Sequence, residues 1–246
     1  SATYTPTVTP VTPTATPVET TDIQGATQTG KPVFTEGDSR VPMNDDVPAI
    51  FDDGSTTKTV DGVGTYTVAA DGTVTFVPEK TFTGTAPAVT VVREDKNGTK
   101  ASATYTPTVT PVTPTATPAE STGPQGLVQT GTVTFTEGDE VAPINKDSIT
   151  LLDENGQPAA SVEAKSPAGD VIGTYTVDKD TGVVTFTPTD KSYSGDVVPV
   201  KVQAADANGT TVETTYTPKI TPVVPTSEDA TSTDIQGQTQ SGKPTF

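Results

Sequence analysis

Seventeen residues, SATYTPTVTPVTPTATP, stand at Ser1–Pro17 and return unchanged at Ser102–Pro118. A looser third copy, TTYTPKITPVVP, begins at Thr214. Tyr4, Tyr105 and Tyr216 mark equivalent points, 101 and then 111 residues apart. Other phrases keep step with them. DIQGATQTGKPVFTEGD (Asp22–Asp38) answers GPQGLVQTGTVTFTEGD (Gly123–Asp139), and DIQGQTQSGKPTF (Asp234–Phe246) opens another round. GTYTV occurs at Gly64–Val68 and Gly173–Val177, VTF at Val74–Phe76 and Val184–Phe186, and NGT at Asn97–Thr99 and Asn208–Thr210. Eight of the ten extra residues in the second copy fall between Asp139 and Gly173, so length varies inside the unit while its ends are held. Solenoid repeats run to roughly 20–50 residues; a period near 100 is the size of an independent domain. The chain therefore reads as tandem beads: a terminal strand and linker over 1–18, one repeat domain over 19–119, a second over 120–228, and the start of a following repeat over 229–246. Both ends fall inside a repeat, so the sequence reads as a segment of a longer protein, with targeting signals outside it.

Composition narrows what each bead can be. Thr is the commonest residue, 54 of 246, and 23 Pro and 21 Gly are spread along the whole length. Thr favours strands over helices, and Pro and Gly interrupt helices, so long helices are excluded. There is no His, Cys or Trp. That removes Ser-His-Asp triads, imidazole ligands, disulfides, thiolate nucleophiles and zinc-thiolate sites. Lack of Cys fits an exported protein that does not rely on oxidation, but does not fix the compartment. A net charge of −17 opposes nucleic acid and anionic lipid, both of which need clustered cations, and keeps copies soluble and apart. No apolar run approaches the length of a membrane helix, so no membrane insertion is expected.

Alternation locates the strands. In Gly64–Val68 and Thr73–Val77 the residues Tyr66, Val68, Val74 and Phe76 share one parity and Thr65, Thr67, Thr73 and Thr75 take the other. The Asp-Gly of AADG between them makes this a hairpin with an apolar inner face. Tyr175, Val177, Val184 and Phe186 repeat it. A second hairpin sets Val198, Val200, Val202 and Ala204 inward, turns at NGT, and returns with Thr214, Tyr216 and Ile220. Its counterparts are Val89, Val91, Ala103, Tyr105 and Val109. Further strands are expected over Lys31–Thr35, Ala49–Asp52 and Thr57–Val60, and Phe82 and Tyr193 should plug the end of the core. About seven short strands with turns between them predict an all-β fold: tandem Ig-like or cadherin-like antiparallel β-sandwich domains joined by short Pro-rich links.

Proline parity bears on the repeated stretch itself. Pro6 and Pro10, Pro107 and Pro111, and Pro218 and Pro222 are each four apart. In a strand this deprives only one side of N–H donors, which predicts an edge strand ending near Val112. TPTATPAEST (Thr113–Thr122) then reads as a stiff polyproline-like spacer.

Candidate sites are few. EDKNGT (Glu94–Thr99) and ADANGT (Ala205–Thr210) alternate acidic and Asn residues, but Asn-Gly suits a tight turn and the remaining oxygen ligands of a calcium loop are missing. NGT also fits a glycosylation pattern, where the turn reading again serves. NDDVPAIFDDGS (Asn44–Ser55) is the denser acidic cluster; NKDSITLLDENG (Asn145–Gly156) keeps Asp147 and Asp153 and gains Lys146. A Lys–Asn crosslink would need a core lysine, and Lys201 lies on the outward parity of its strand. The sequence thus marks no catalytic, cofactor-binding or metal-binding residue, and the protein reads as a non-enzyme.

ATYTPTVTPVTPTATP, DIQG..TQTGKP.FTEGD and GTYTV...G.VTF.P...F/Y.G together resemble the repeat unit of the CshA-type fibrillar adhesins of oral streptococci. The resemblance covers both whole units and both partial ones. VTFTP with a following aromatic-x-Gly occurs more broadly in bacterial Ig-like and cadherin-like surface modules. The resemblance implies a large extracellular protein anchored to the cell wall, whose repeats form a fibril stalk while a non-repetitive region outside this segment meets the host ligand. Partners would then be neighbouring repeats of the same chain. On this reading the chain spaces an adhesive tip from the cell wall, each unit adding a few tens of ångströms since strands of seven to ten residues span roughly 25–35 Å. The rival reading makes each bead a weak binder of a host glycan or protein, gaining avidity by repetition through the divergent regions Ser39–Val63 and Glu140–Ile172. A third possibility is contact between fibrils through the strand edge that the prolines partly guard.

Overall fold

The computed structural model describes residues Ser1–Phe246 and contains strands and turns but no helix. Packing divides the chain into two compact units, one built on Ser1–Thr115 with Phe135–Asn145 and Ala204–Val212, the other on Ala116–Thr134, Lys146–Gln203 and Glu213–Phe246.

The first repeat comprises β1 (Thr14–Thr16), β2 (Val18–Ile23), β3 (Gln28–Gly30), β4 (Val33–Thr35), β5 (Ile50–Phe51), β6 (Thr57–Val60), β7 (Gly64–Val68), β8 (Val74–Pro78), β9 (Gly84–Thr85), β10 (Val89–Glu94) and β11 (Lys100–Thr110). One sheet has the order β3-β8-β7-β6 and is antiparallel. The other runs β2-β11-β10-β5, with β9 also on β11, and β1 pairs separately with β4. The alternation read from the sequence holds: Tyr66, Val68, Val74, Phe76, Val89, Val91, Tyr105 and Val109 form one buried cluster with Ala49, Phe51 and Ala86. Tyr66 stacks obliquely on Phe76 at 4.6 Å and meets Tyr105 edge-on at 6.5 Å, arrangements that aromatic pairs prefer. Phe82 packs against this cluster.

The second repeat comprises β12 (Thr115–Thr117), β13 (Ala119–Pro124), β14 (Gln129–Thr132), β15 (Thr134–Thr136), β16 (Ile144–Leu152), β17 (Pro158–Ala159), β18 (Ser161–Lys165), β19 (Val171–Val177), β20 (Val183–Pro188), β21 (Gly195–Asp196), β22 (Val200–Asp206) and β23 (Thr211–Thr221). Its sheets run β14-β20-β19-β18 and β13-β23-β22-β16-β17, with β21 on β23 and β12 paired to β15. Tyr175 stands 5.7 Å from Phe186 and 6.1 Å from Tyr216. Each repeat is thus a two-sheet sandwich with the same aromatic centre. Most of the extra length extends the β16–β18 region.

Three expectations are corrected. The strand over Ser102–Thr110 is not an edge. Antiparallel β10 covers Lys100–Tyr105 on one side and parallel β2 covers Tyr105–Thr110 on the other. The Pro107 carbonyl accepts the N–H of Ala86 at 2.9 Å, and a strand residue directs its N–H and C=O to the same side. The missing donor therefore faces the break between β9 and β10. Proline parity reported one weakly paired side correctly but gave no sign of the parallel neighbour on the other. Nor is Thr113–Thr122 a free polyproline spacer, since β12 and much of β13 lie within it. Pro114 and Pro118 stand just before those strands, where a lost N–H breaks no ladder. Finally, Val198 is exposed rather than inward. Pro199 interrupts the alternation, Val197 is buried in its place, and β22 starts only at Val200.

Candidate functional site

The two NGT segments are turns held by their own aspartates. Asp95 Oδ1 accepts the N–H groups of Asn97 and Thr99 at 2.9 and 2.8 Å, and Asp206 Oδ1 accepts those of Asn208 and Thr210 at the same distances. Gly98 and Gly209 take positive φ, 81° and 86°, which suits glycine at the turn. Asn97 is exposed and Asn208 is buried. The second carboxylate oxygens of Asp95 and Asp206 are buried without a hydrogen-bond partner, but no group of three or more carboxylates stands together as metal ligands require.

The acidic cluster Asn44–Ser55 is shared out among cations. Asp45 pairs with Arg93 at 2.6 Å, Asp46 with Lys96 at 2.5 Å, and Lys58 reaches both Asp52 (2.5 Å) and Asp53 (3.3 Å). The Lys58 ammonium also lies 5.5 Å from the centre of the Phe51 ring. Lys96 holds the Asp46 carboxyl below its usual range, and the hydrogen bonds of Ser55, with help from Lys58, do the same for Asp53. The counterpart Asn145–Gly156 is arranged differently. Asp153 accepts the N–H groups of Asn155 and Gln157, both at 2.8 Å, while Glu154 pairs with Lys165. Lys146 donates to the Asp180 carbonyl at 3.4 Å, and Lys179 donates to the carbonyl of Asp147. Lys201 points outward and pairs with Glu213 at 3.0 Å, the side that its parity predicts.

The most closely matched polar constellation was not singled out from the sequence. In the first repeat the Thr20 hydroxyl bonds to Gln28 Oε1 at 2.5 Å and to the Tyr105 hydroxyl at 2.8 Å, while Gln28 Nε2 donates to the Thr108 carbonyl at 2.9 Å. In the second, Ser121 meets Gln129 and Tyr216, each at 2.7 Å, and Gln129 Nε2 donates to the Lys219 carbonyl at 3.1 Å. In the partial repeat at the C-terminal end, Ser232 lies 2.7 Å from the Gln240 amide. The signal was present: a hydroxyl residue and a glutamine eight apart, in all three copies. The clasp ties β2 to β3 and β11, and β13 to β14 and β23. A glycine admits the tyrosine. A Cβ at Gly30 would stand 2.4 Å from Tyr105 Cε2, and one at Gly131 2.4 Å from Tyr216 Cε2. Burial pushes the Tyr66 hydroxyl up to about 12. It also raises Tyr105 and Tyr216, an effect opposed by the hydrogen bonds from Thr20 and Ser121.

Apart from the second oxygens of Asp95 and Asp206, these polar groups are engaged with one another, as turn caps, ion pairs and strand clasps.

The family model described as the surface adhesin CshA repetitive domain matches residues 10–109 and again 111–220. The NMR structure of repeat domain 13 of the fibrillar adhesin CshA from Streptococcus gordonii is similar at 54% identity, covering 28% of this chain and 90% of that one, with a TM-score of 0.18. Drosophila N-cadherin EC1-3 is similar at 13% identity over 86% of this chain and 68% of that one (TM-score 0.31). Mouse cadherin-23 EC22-24 is similar at 15% over 87% and 65% (TM-score 0.32). No curated protein matches the chain.

Proposed function

This chain belongs to the family of surface adhesin CshA repetitive domains, and we propose that within such a protein it is a non-enzymatic stalk segment on the bacterial surface, holding an adhesive region away from the cell wall. Its partners in that role are the neighbouring repeats. The observation that carries this reading is the parallel pairing of the second strand of each repeat with its last. In the first repeat, β2 faces β11 over six pairs, from Val18 opposite Tyr105 to Ile23 opposite Thr110. In the second, β13 faces β23 over six, from Ala119 opposite Tyr216 to Pro124 opposite Thr221. Tension on the two ends of a repeat pulls such strands past each other along their length. The interstrand hydrogen bonds lie across that direction, so several must break together. The hydroxyl–Gln–Tyr clasp crosses the same pair of strands and resists the same slip.

Stretching the whole chain between its ends tests this. The expected record shows two separate unfolding events, one per repeat, each at a distinct force peak. Gln28→Ala removes the first clasp and lowers the force of one event while the other is unchanged. A chain that lengthens smoothly, with no peaks, would sink the stalk reading.

A further inference from the structure

We infer that the second repeat carries a binding pocket for a lysine side chain of a partner polypeptide, at the mouth between its two sheets beside β18. The inference does not rest on the stalk reading.

A cavity of about 280 Å³ opens there, floored by Leu152, Val162, Tyr175 and Val200 and rimmed by Asp153, Glu154, Glu163, Lys165 and Lys201. It approaches the smaller end of the size range of ligand pockets, and its apolar floor with a few polar groups at the rim is their usual make-up. The Tyr175 hydroxyl is already committed to the Val198 carbonyl at 2.8 Å, so the tyrosine offers the site carbon rather than a donor. The polar chemistry belongs to the rim.

The first repeat shows what that place accepts. Lys58 lies on β6 directly across from Tyr66, and Val162 lies on β18 directly across from Tyr175. The two residues hold the same register position. In the first repeat the partly buried side chain of Lys58 stands there, the ammonium lies 5.5 Å from the centre of the Phe51 ring, and Asp52 and Asp53 of the turn after β5 neutralise the charge. An ammonium at the protein surface is stabilised by such a ring and such carboxylates. In the second repeat the strand before the turn still leads into two acids, Asp153 and Glu154, but valine ends where lysine went on. Lys165 takes Glu154 and Lys201 takes Glu213. Glu163 forms no ion pair, although Lys165 attracts it through space; Asp153 caps its own turn, and the rim's three carboxylates outnumber its two lysines. An alkylammonium from outside supplies what Lys58 supplies inside the first repeat: methylenes for the apolar floor and a positive head for the acids at its edge.

Nα-acetyl-lysine methylamide serves as the probe, and the norleucine analogue, which keeps the methylenes and loses the ammonium, is the control. Methyl NMR on the whole chain is expected to show saturable shifts at Leu152, Val162 and Val200 with the lysine probe and at least fivefold weaker binding of norleucine. Glu163→Gln should weaken the lysine probe at least threefold and leave norleucine unchanged. Val162→Lys restores the internal lysine and should abolish probe binding, with the repeat still folded by its own methyl spectrum. Equal affinity for lysine and norleucine, equal affinity in Glu163→Gln, or no saturable shift at these methyls would each overturn the inference.

Discussion

The two repeats coincide at their centres and part company at their rims. Tyr66, Phe76 and Tyr105 have their counterparts in Tyr175, Phe186 and Tyr216, and the edge-on tyrosine pairs differ by only a degree in interplanar angle, 83° against 84°. The clasp is the same down to the carbonyl that receives the glutamine amide. Away from that, the acidic segment of the first repeat is stitched to Lys58 and Arg93 on neighbouring strands and to Lys96 in the turn after β10. That of the second caps its own turn through Asp153, and a cavity opens where the first repeat has a lysine. Residues that hold the two sheets together and join β2 to β11 and β13 to β23 are kept. Residues at the open mouth between the sheets vary, because an exposed ion pair contributes little to stability, typically about 0–1 kcal/mol.

The strongest way to break this comparison is to truncate a shared aromatic. Phe76→Ala and Phe186→Ala should each cost about 3–5 kcal/mol in the repeat that carries it. Calorimetry should show one transition moving down and the other staying in place. If either variant melts like the parent, the equivalence of the two cores is wrong.

A smaller effect is expected where tyrosine passes over glycine. Gly30→Ala puts a methyl 2.4 Å from the Tyr105 ring and Gly131→Ala does the same to Tyr216, so each should cost about 1–3 kcal/mol by overpacking. Equal losses measured by denaturant unfolding would support one geometry. A neutral Gly131→Ala would show that the second clasp is looser than the first.

The smallest effect separates the rims. Carboxyl groups held below their ordinary range are Asp38, Asp46, Asp53 and Asp71 in the first repeat and Asp190 alone in the second. For Asp38 the main cause is the Arg40 hydrogen bond and for Asp71 it is Lys31. A carboxylate whose folded pKa is depressed adds stability above its unfolded value, near 3.8, and that stability disappears as the pH falls through the folded value. Asp46, Asp53, Asp71 and Asp190 are exposed and Asp38 is half-buried, so solvent screening keeps the contributions small. The first repeat should lose more of its melting temperature than the second as the pH falls from about 4 to about 2, below the unfolded carboxyl value. Equal losses would remove the distinction between the rims.

Much of this was legible in the sequence, for definite reasons. Strict alternation set Tyr66, Val74 and Phe76 inward because a strand sends successive side chains to opposite faces. The NGT turns announced themselves because few sequences suit positive φ. The parallel partner of β11 left no local trace, since Thr20 and Pro107 meet across 87 residues of sequence and periodicity reports faces rather than neighbours. The clasp was hidden for a related reason. Thr20, Gln28 and Tyr105 are ordinary polar and aromatic residues until the fold brings them together, and only their recurrence at fixed spacing marks them. The cavity in the second repeat depends on one missing lysine and could be read only against the first.

The pairing of β2 with β11 also sets the order in which a repeat can assemble. Val18 and Tyr105 are 87 residues apart, so their contact is among the most non-local in the domain and carries a large loop-closure cost. The hairpins β7–β8 and β10–β11 close over far shorter distances and can form first. A chain growing from its N-terminus cannot lock a repeat until the last strand has emerged, because β2 and the Thr20–Gln28 side of the clasp have nothing to grip before then. Each bead is therefore finished by its final eleven residues, which carry the second end of the clasp.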